Sequence, residues 1–99
     1  MVRPIITPHA VRRFAELALG VRNLPTNDDD ALKALELRGF DTREISAMLS
    51  AFLTRAVDLG AVAVTLRGSR YVLRGRRLIT VLSTGNRKRR RARIERDGD

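Results

Sequence analysis

The 99-residue chain contains no cysteine and no tryptophan, and aromatic residues make up only 4% of it. Without cysteine, neither a disulfide framework nor a thiolate zinc site can form, and the single histidine, His9, cannot hold a metal alone. No apolar run approaches the roughly 18 residues of a membrane span, and the first residues lack the apolar core of a signal peptide. The sequence therefore predicts a cytoplasmic protein with no metal, no cofactor and no membrane partner.

Acidic residues are scarce in the second half of the chain. Residues 1–60 hold eight basic and eight acidic side chains, whereas residues 61–99 hold twelve basic and three acidic ones, which accounts for the net charge of +9. Eighteen of the twenty basic residues are arginine, whose planar guanidinium suits bidentate contacts with phosphate. This uneven distribution is typical of a protein that binds a polyanion such as nucleic acid.

The stretch 61–82 consists of three short apolar runs separated by the pairs Gly68-Ser69 and Gly75-Arg76. A Gly-X pair between such runs is typical of a two-residue hairpin turn, in which the first turn residue has a positive φ. The stretch therefore predicts a three-stranded antiparallel meander.

Two-residue turns would also fix which side chains share a face of this sheet. Opposed residues lie on one face and neighbours alternate, so the predicted inner face holds Val64, Leu66, Tyr71, Leu73, Leu78, Thr80 and Leu82. In this register Leu66 and Thr80 both oppose Tyr71. The opposite face would carry Arg67, Arg70, Arg74 and Arg77. Adjacent like charges destabilise a sheet, so the four arginines call for an explanation. Either they bind an anionic ligand, or their guanidinium groups extend into water while their aliphatic stems cover apolar neighbours.

Three helices are predicted before the sheet. Thr7 and Pro8 begin the first, at 8–19; Asn27 precedes the second, which runs to about residue 38; Asp41 caps the third, which runs to about residue 59. In the third helix, apolar residues at helical spacing are expected to cover the sheet: Ile45, Met48, Leu49, Phe52, Leu53 and Ala56. The three aspartates at 28–30 suit the positive end of the helix dipole better than a metal site.

These elements predict an α+β domain over residues 1–85, with three helices packed on the meander, and a disordered basic tail over residues 86–99. The tail contains a run of five basic residues, which we expect to bind nucleic acid together with the sheet: Arg87, Lys88, Arg89, Arg90 and Arg91.

The sequences T-P-H-A-V-R-R-F near the start and R-Y-V-L-R-G-R-R-L-I-T-V-L in the sheet resemble the barnase/EndoU/colicin/RelE-like superfamily of small toxin-type ribonucleases. The resemblance implies a metal-independent endoribonuclease with an acidic antitoxin or the ribosome as partner. It makes His9 the acid/base, because histidine is the residue type whose ordinary pKa lies nearest neutrality. Arg13 would clamp the phosphate, and Tyr71 and Thr80 would be site residues on the sheet.

Residues 39–49, G-F-D-T-R-E-I-S-A-M-L, resemble the first part of a helix-turn-helix. That resemblance implies a DNA-binding winged helix-turn-helix regulator, in which Ser50 caps a recognition helix over residues 51–59 and Arg55 faces the groove. However, the apolar period continues through Leu49 without a break. The third alternative is a non-catalytic accessory protein whose positive charge only raises its affinity for nucleic acid. The composition and the ribonuclease resemblance together favour RNA binding.

Overall fold

The computed structural model describes residues 3–84 and 93–96. Within these residues, three α-helices and five β-strands follow one another in the order β1 (Ile5–Ile6), α1 (Pro8–Ala18), α2 (Asp28–Leu37), α3 (Thr42–Asp58), β2 (Ala61–Leu66), β3 (Ser69–Arg74), β4 (Arg77–Ser83) and β5 (Arg93–Arg96). The protein is an α+β domain, as the sequence predicts. None of its described helices has the length and apolar character needed to cross a membrane.

Side-chain caps begin the three helices at the predicted places. The hydroxyl of Thr7 accepts a hydrogen bond from the backbone N–H of Ala10 at 3.2 Å, and Asn27 accepts one from Asp30 at the same distance. The carboxylate of Asp41 accepts bonds from the N–H groups of the first turn of α3. Each cap satisfies a backbone donor that has no partner inside the helix, and this local signal is what made the helix starts predictable.

The sheet has the strand order β1-β4-β3-β2-β5. Its centre is the predicted antiparallel meander of β2, β3 and β4. The prediction of three strands is incomplete, because β1 pairs parallel with β4 at one edge and β5 pairs antiparallel with β2 at the other. Two short flanking strands therefore convert the meander into a mixed sheet.

Strand β5 corrects the prediction that residues 86–99 form a disordered tail, since Arg93–Arg96 pair with β2. An uncovered β2 would expose a row of unpaired backbone N–H and C=O groups, and β5 satisfies them. The predicted nucleic-acid-binding run from Arg87 to Arg91 lies outside the described residues.

The first hairpin turn is formed by Arg67 and Gly68 and not by Gly68 and Ser69. Both turn residues have positive φ, 53° and 81°, as a type I′ turn requires. Leu66 therefore opposes Ser69, and Val64 opposes Tyr71. The predicted pairing of Leu66 with Tyr71 was wrong by two positions, an even shift that leaves the paired residues of β2 and β3 on their predicted faces. Arg67, however, leaves the strand and enters the turn.

The second hairpin follows the prediction at its turn and departs from it further along. Arg74 opposes Arg77 and Leu73 opposes Leu78, but a β-bulge at Ile79 then shifts the register, so that Thr80 opposes Val72 and Val81 opposes Tyr71. The predicted pairing of Tyr71 with Thr80 is therefore wrong. The bulge brings the apolar Val81 into the core, where it is 0% exposed, and turns the polar Thr80 to the other face.

All three helices lie on the inner face of the sheet. Helix α1 packs on β4, α3 packs on β2, and α2 packs against α1. The core includes Val11, Phe14, Leu35, Leu49, Leu53, Val64, Tyr71, Leu73, Leu78 and Val81. Met48 and Phe52, which we expected to be buried against the sheet, are exposed by 48% and 38%. Both side chains line a cavity together with Phe14 and Tyr71.

Helix α3 is unbroken from Thr42 to Asp58. Ser50, which the helix-turn-helix interpretation places at the cap of a second helix, lies in mid-helix, and its hydroxyl donates a hydrogen bond to the backbone oxygen of Pro4 at 3.2 Å. A separate recognition helix over residues 51–59 therefore does not exist, and that interpretation was wrong.

Candidate nucleic-acid interface

Three arginines lie on the outer face of strands β3 and β4, and the described helices pack on the opposite face. Arg74 and Arg77 are direct cross-strand neighbours, and both are exposed. Arg70 lies four residues before Arg74 on the same strand and is half-buried. Alternate residues of a strand share a face, so Arg70 joins the other two. We call this surface the arginine face; it also includes Val72 and Thr80.

The cations at the turn end of this face are not neutralised by the described part of the protein. The ion pairs within residues 3–84 join side chains of α1 to Glu16 or Asp28, all in the helical half. Arg74 and Arg77 form no ion pair with the described residues. Two neighbouring cations without a counter-charge among the described residues repel each other, and a bound anion would relieve that repulsion.

Arg67 was predicted to lie on the same face, and the structure corrects this. It occupies the β2–β3 turn and lines a cavity on the helical side together with Tyr71. Burial raises the pKa of the Tyr71 hydroxyl above its ordinary value, and the positive charge of Arg67 opposes that rise. Arg67 therefore belongs to a second surface.

The two sheet residues implied by the ribonuclease resemblance do not come together. Tyr71 is 6% exposed on the inner face, where its ring centroid lies 5.3 Å from that of Phe52 and 6.5 Å from that of Phe14. Thr80 lies on the outer face because of the bulge. The sheet itself separates the two side chains, so they cannot act on one phosphate.

His9 lies at the start of α1 and contacts the start of α2. Its Nδ1 atom is 3.2 Å from Oδ1 of Asp28, and Nη1 of Arg12 donates a hydrogen bond to the same oxygen, also at 3.2 Å. Burial raises the pKa of Asp28, but the hydrogen bonds and charges of His9 and Arg12 outweigh it and lower the pKa below its ordinary value. The three residues form what we call the His9 cluster, beside a cleft of about 390 Å³.

The resemblance pointed to Arg13, yet the residue next to His9 in space is Arg12. Nε of Arg13 donates a hydrogen bond to the backbone oxygen of Val81 at 3.3 Å, and its Nη1 donates one to Glu16 at 3.0 Å. Arg13 thus covers the edge of β4. Arg12 and Asp28 were missed by sequence reasoning as partners of His9; the i, i+3 spacing of His9 and Arg12 was a signal, whereas the contact of Asp28 depends on tertiary packing.

No protein-family model matches the chain, and comparison with curated proteins and with solved structures finds no significant similarity.

Proposed function

We propose that the protein binds RNA through the phosphate groups of the backbone, and that the arginine face makes the contacts. The observation that supports this most directly is the cross-strand pair Arg74 and Arg77, both exposed at the turn end of the outer face without a carboxylate partner among the described residues. The excess of nine positive charges in residues 61–99 also favours binding of a polyanion. Each phosphate neutralised by arginine releases a condensed counterion, which drives the association.

The arginine face offers charge without an aromatic platform for stacking bases. The four aromatic residues of the chain all belong to the inner core or the helical side: Phe14, Phe40, Phe52 and Tyr71. Sequence-specific recognition of single strands relies largely on stacking and on hydrogen bonds to base edges. Binding should therefore follow the backbone, depend strongly on salt and show little base preference. We favour RNA over DNA because of the resemblance to small ribonucleases.

The salt dependence of binding tests this proposal. In the double variant Arg74→Ala, Arg77→Ala, the slope of log K against log salt for a labelled single-stranded oligoribonucleotide should become shallower by about 1.4, since each lost single-strand phosphate contact contributes about 0.7. Fluorescence anisotropy between low and moderate salt measures the slope. The same titration with a DNA oligonucleotide of identical sequence tests the preference for RNA.

The matched control removes the same charge elsewhere. Arg22 and Arg43 are exposed on the helical side, so Arg22→Ala, Arg43→Ala lowers the net charge equally but should leave the slope nearly unchanged. If both double variants behave alike, the arginine face is not the binding surface, and general electrostatic attraction suffices.

The His9 cluster supports a second candidate function, RNA cleavage at the cleft beside it. A carboxylate bonded to Nδ1 fixes the proton there, so that Nε2 of a neutral imidazole can accept the proton of a ribose 2′-OH as its oxygen attacks the adjacent phosphorus. The bond to the 5′-oxygen then breaks, and the proton passes to that oxygen. The products are a 2′,3′-cyclic phosphate and a free 5′-OH. Cationic side chains stabilise the negative charge that develops on the phosphate in the transition state.

Replacement of His9 separates cleavage from binding. We expect the parent protein to produce 2′,3′-cyclic phosphate ends from RNA in the presence of EDTA and His9→Gln to lose that activity by at least about 100-fold, the usual contribution of a general acid/base. RNA affinity should be unchanged. Asp30→Asn, in the same first turn of α2, serves as the control. Cleavage that survives in His9→Gln would rule out this candidate and leave the binding proposal intact.

A further inference from the structure

A second surface lies on the helical side, between α1, α3 and the β2–β3 turn. It is a cavity of about 480 Å³ with mainly apolar walls. We call it the apolar groove; its walls include Phe14, Leu17, Met48, Phe52 and Tyr71, and Arg67 lines the end formed by the turn. Its volume is within the range of protein sites that bind ligands or partner side chains.

Large apolar side chains are exposed in this groove. Met48 is exposed by 48% and Phe52 by 38%, while Leu49 and Leu53 on the same helix are almost fully buried. Leu17 on the facing helix is half-buried. Contiguous exposed apolar surface of this kind marks an interaction site, whereas single exposed apolar residues are common.

The spacing of the residues that line the groove suits two side chains of a partner helix. Phe14 and Ala18 line one wall and Met48 and Phe52 the other, and each pair is spaced i, i+4. Four residues of an α-helix rise about 6 Å, which equals about one turn. A helix lying in the groove can therefore place two bulky residues, one turn apart, between these walls. The small side chain of Ala18 lets the partner backbone approach closely.

The charge at the end of the groove selects the partner. Among the described residues that line the groove, Arg67 is the one that carries a charge. It is exposed, and it forms no ion pair with the described part of the chain. Its φ of 53° is a conformation that glycine and asparagine adopt more readily than arginine. A residue chosen only for the turn would not be arginine, so its cation is the feature that calls for a binding explanation.

We infer that the apolar groove binds an acidic amphipathic helix of a partner protein, with two bulky apolar residues one turn apart in the groove and an aspartate or glutamate paired with Arg67. A second copy of this chain is a poor occupant, because two molecules of charge +9 repel each other. The groove and the arginine face lie on opposite sides of the sheet, so this inference does not depend on nucleic-acid binding.

Two fluorescein-labelled helical peptides test the inference. One carries leucines at i and i+4 followed by glutamate in the next turn, and the other carries lysine in place of that glutamate. The parent protein should bind the glutamate peptide about tenfold more tightly, since a charge-assisted hydrogen bond is worth about that factor. Arg67→Asp should reverse the preference, and aspartate tolerates the positive φ of this turn.

Two further variants keep the test decisive if one replacement changes folding. Met48→Gln removes an exposed apolar contact, so it should weaken the binding of both peptides without altering the ratio of their affinities. Arg43→Asp changes the net charge as Arg67→Asp does, but Arg43 lines a different cleft near Glu36, and it should leave the ratio unchanged. Circular dichroism verifies folding of each variant.

Three results would overturn the inference. One is equal binding of the two peptides by the parent protein. Another is a ratio that Arg67→Asp does not reverse while the variant is folded. The third is a dimer in sedimentation that Met48→Gln dissociates, because the groove would then be occupied by a second copy.

Discussion

Asp28 links the first turns of two helices through a single carboxylate. It lies at the start of α2, where the helix dipole favours negative charge, and it bonds to His9 and Arg12 of α1. The same side chain therefore has a local role and a tertiary one. The sequence predicted the local role, because three aspartates after Asn27 are a helix-start signal. It did not predict the tertiary contact.

The acid sensitivity of folding should depend on Asp28. The pKa of Asp28 in the folded protein lies below its ordinary value of 3.8, so the unfolded chain takes up the proton first as the pH falls. The stabilisation is present above the unfolded pKa and is lost as the pH falls through the lower, folded one. Urea unfolding at neutral pH and at about pH 3 should show that the parent loses more stability than Asp28→Asn.

Asp30→Asn is the matched control for that measurement. It removes a carboxylate from the same first turn, and Asp30 has no contact with His9 or Arg12 among the described side chains. Its loss of stability on acidification should resemble that of the parent. If Asp28→Asn also behaves like the parent, the contacts of Asp28 do not stabilise the folded state.

Helical spacing alone does not tell whether Arg12 or Arg13 lies with His9 against a neighbouring element. Helical spacing places His9, Arg12 and Arg13 on one side of α1, since i+3 and i+4 are both neighbours of i. What separates the two arginines is the surroundings: α2 approaches Arg12, and the edge of β4 approaches Arg13. A single sequence contains no local signal for which element lies on which side.

At the scale of elements, Thr7 connects the start of α1 to the bulge in β4. Its hydroxyl caps the helix, and the same hydroxyl donates to the backbone oxygen of Leu78 at 2.8 Å and lies 3.3 Å from that of Ile79. These carbonyls lie where β1 has ended and the bulge interrupts the regular pairing. One side chain therefore satisfies backbone groups of both elements.

Replacement of Thr7 should affect stability more than the loss of an ordinary helix cap. We expect Thr7→Ala to lower the free energy of unfolding by about 2 kcal/mol, with about 1 from the cap and a similar amount from the lost bond to the strand. Urea denaturation at neutral pH measures it. Thr7→Ser keeps the hydroxyl and should recover most of the difference; a Thr7→Ala variant as stable as the parent would show that neither bond matters.

Helices and turns differ in how far the sequence predicts them. Each helix begins at a cap that can be identified within four residues, and all three were predicted close to their bounds. The meander was also predicted, but the first turn shifted by one residue and Ile79 formed a bulge. The bulge buries the apolar side chain of Val81, whereas the shifted turn moves Arg67 out of the strand. The burial of Val81 depends on the helices that cover the sheet, and no local pattern shows it.

At the scale of the whole molecule, charge and shape are divided between two sides of one sheet. The helical half is neutral in sequence and supplies the ion pairs of the described structure, whereas exposed arginines lie on the outer face. The charge asymmetry between residues 1–60 and 61–99 was predicted from composition, because it depends only on where charged residues occur along the chain. The face that each arginine occupies depends on the strand register, and Arg67 departs from its predicted face. The apolar groove was not predicted. Met48 and Phe52 have the same helical spacing as the buried residues of α3, so the sequence predicted that they too would be buried against the sheet.

The described helices cover one side of the sheet, and this placement gives the two surfaces unequal freedom to change. Arg74, Arg77 and Thr80 do not support the core, so replacements there can alter binding while the fold persists. Tyr71 both packs in the core and lines the apolar groove, so a replacement that reshapes the groove also weakens the protein. In a library of random variants, folded clones should therefore be diverse on the outer face and nearly uniform at the base of the groove.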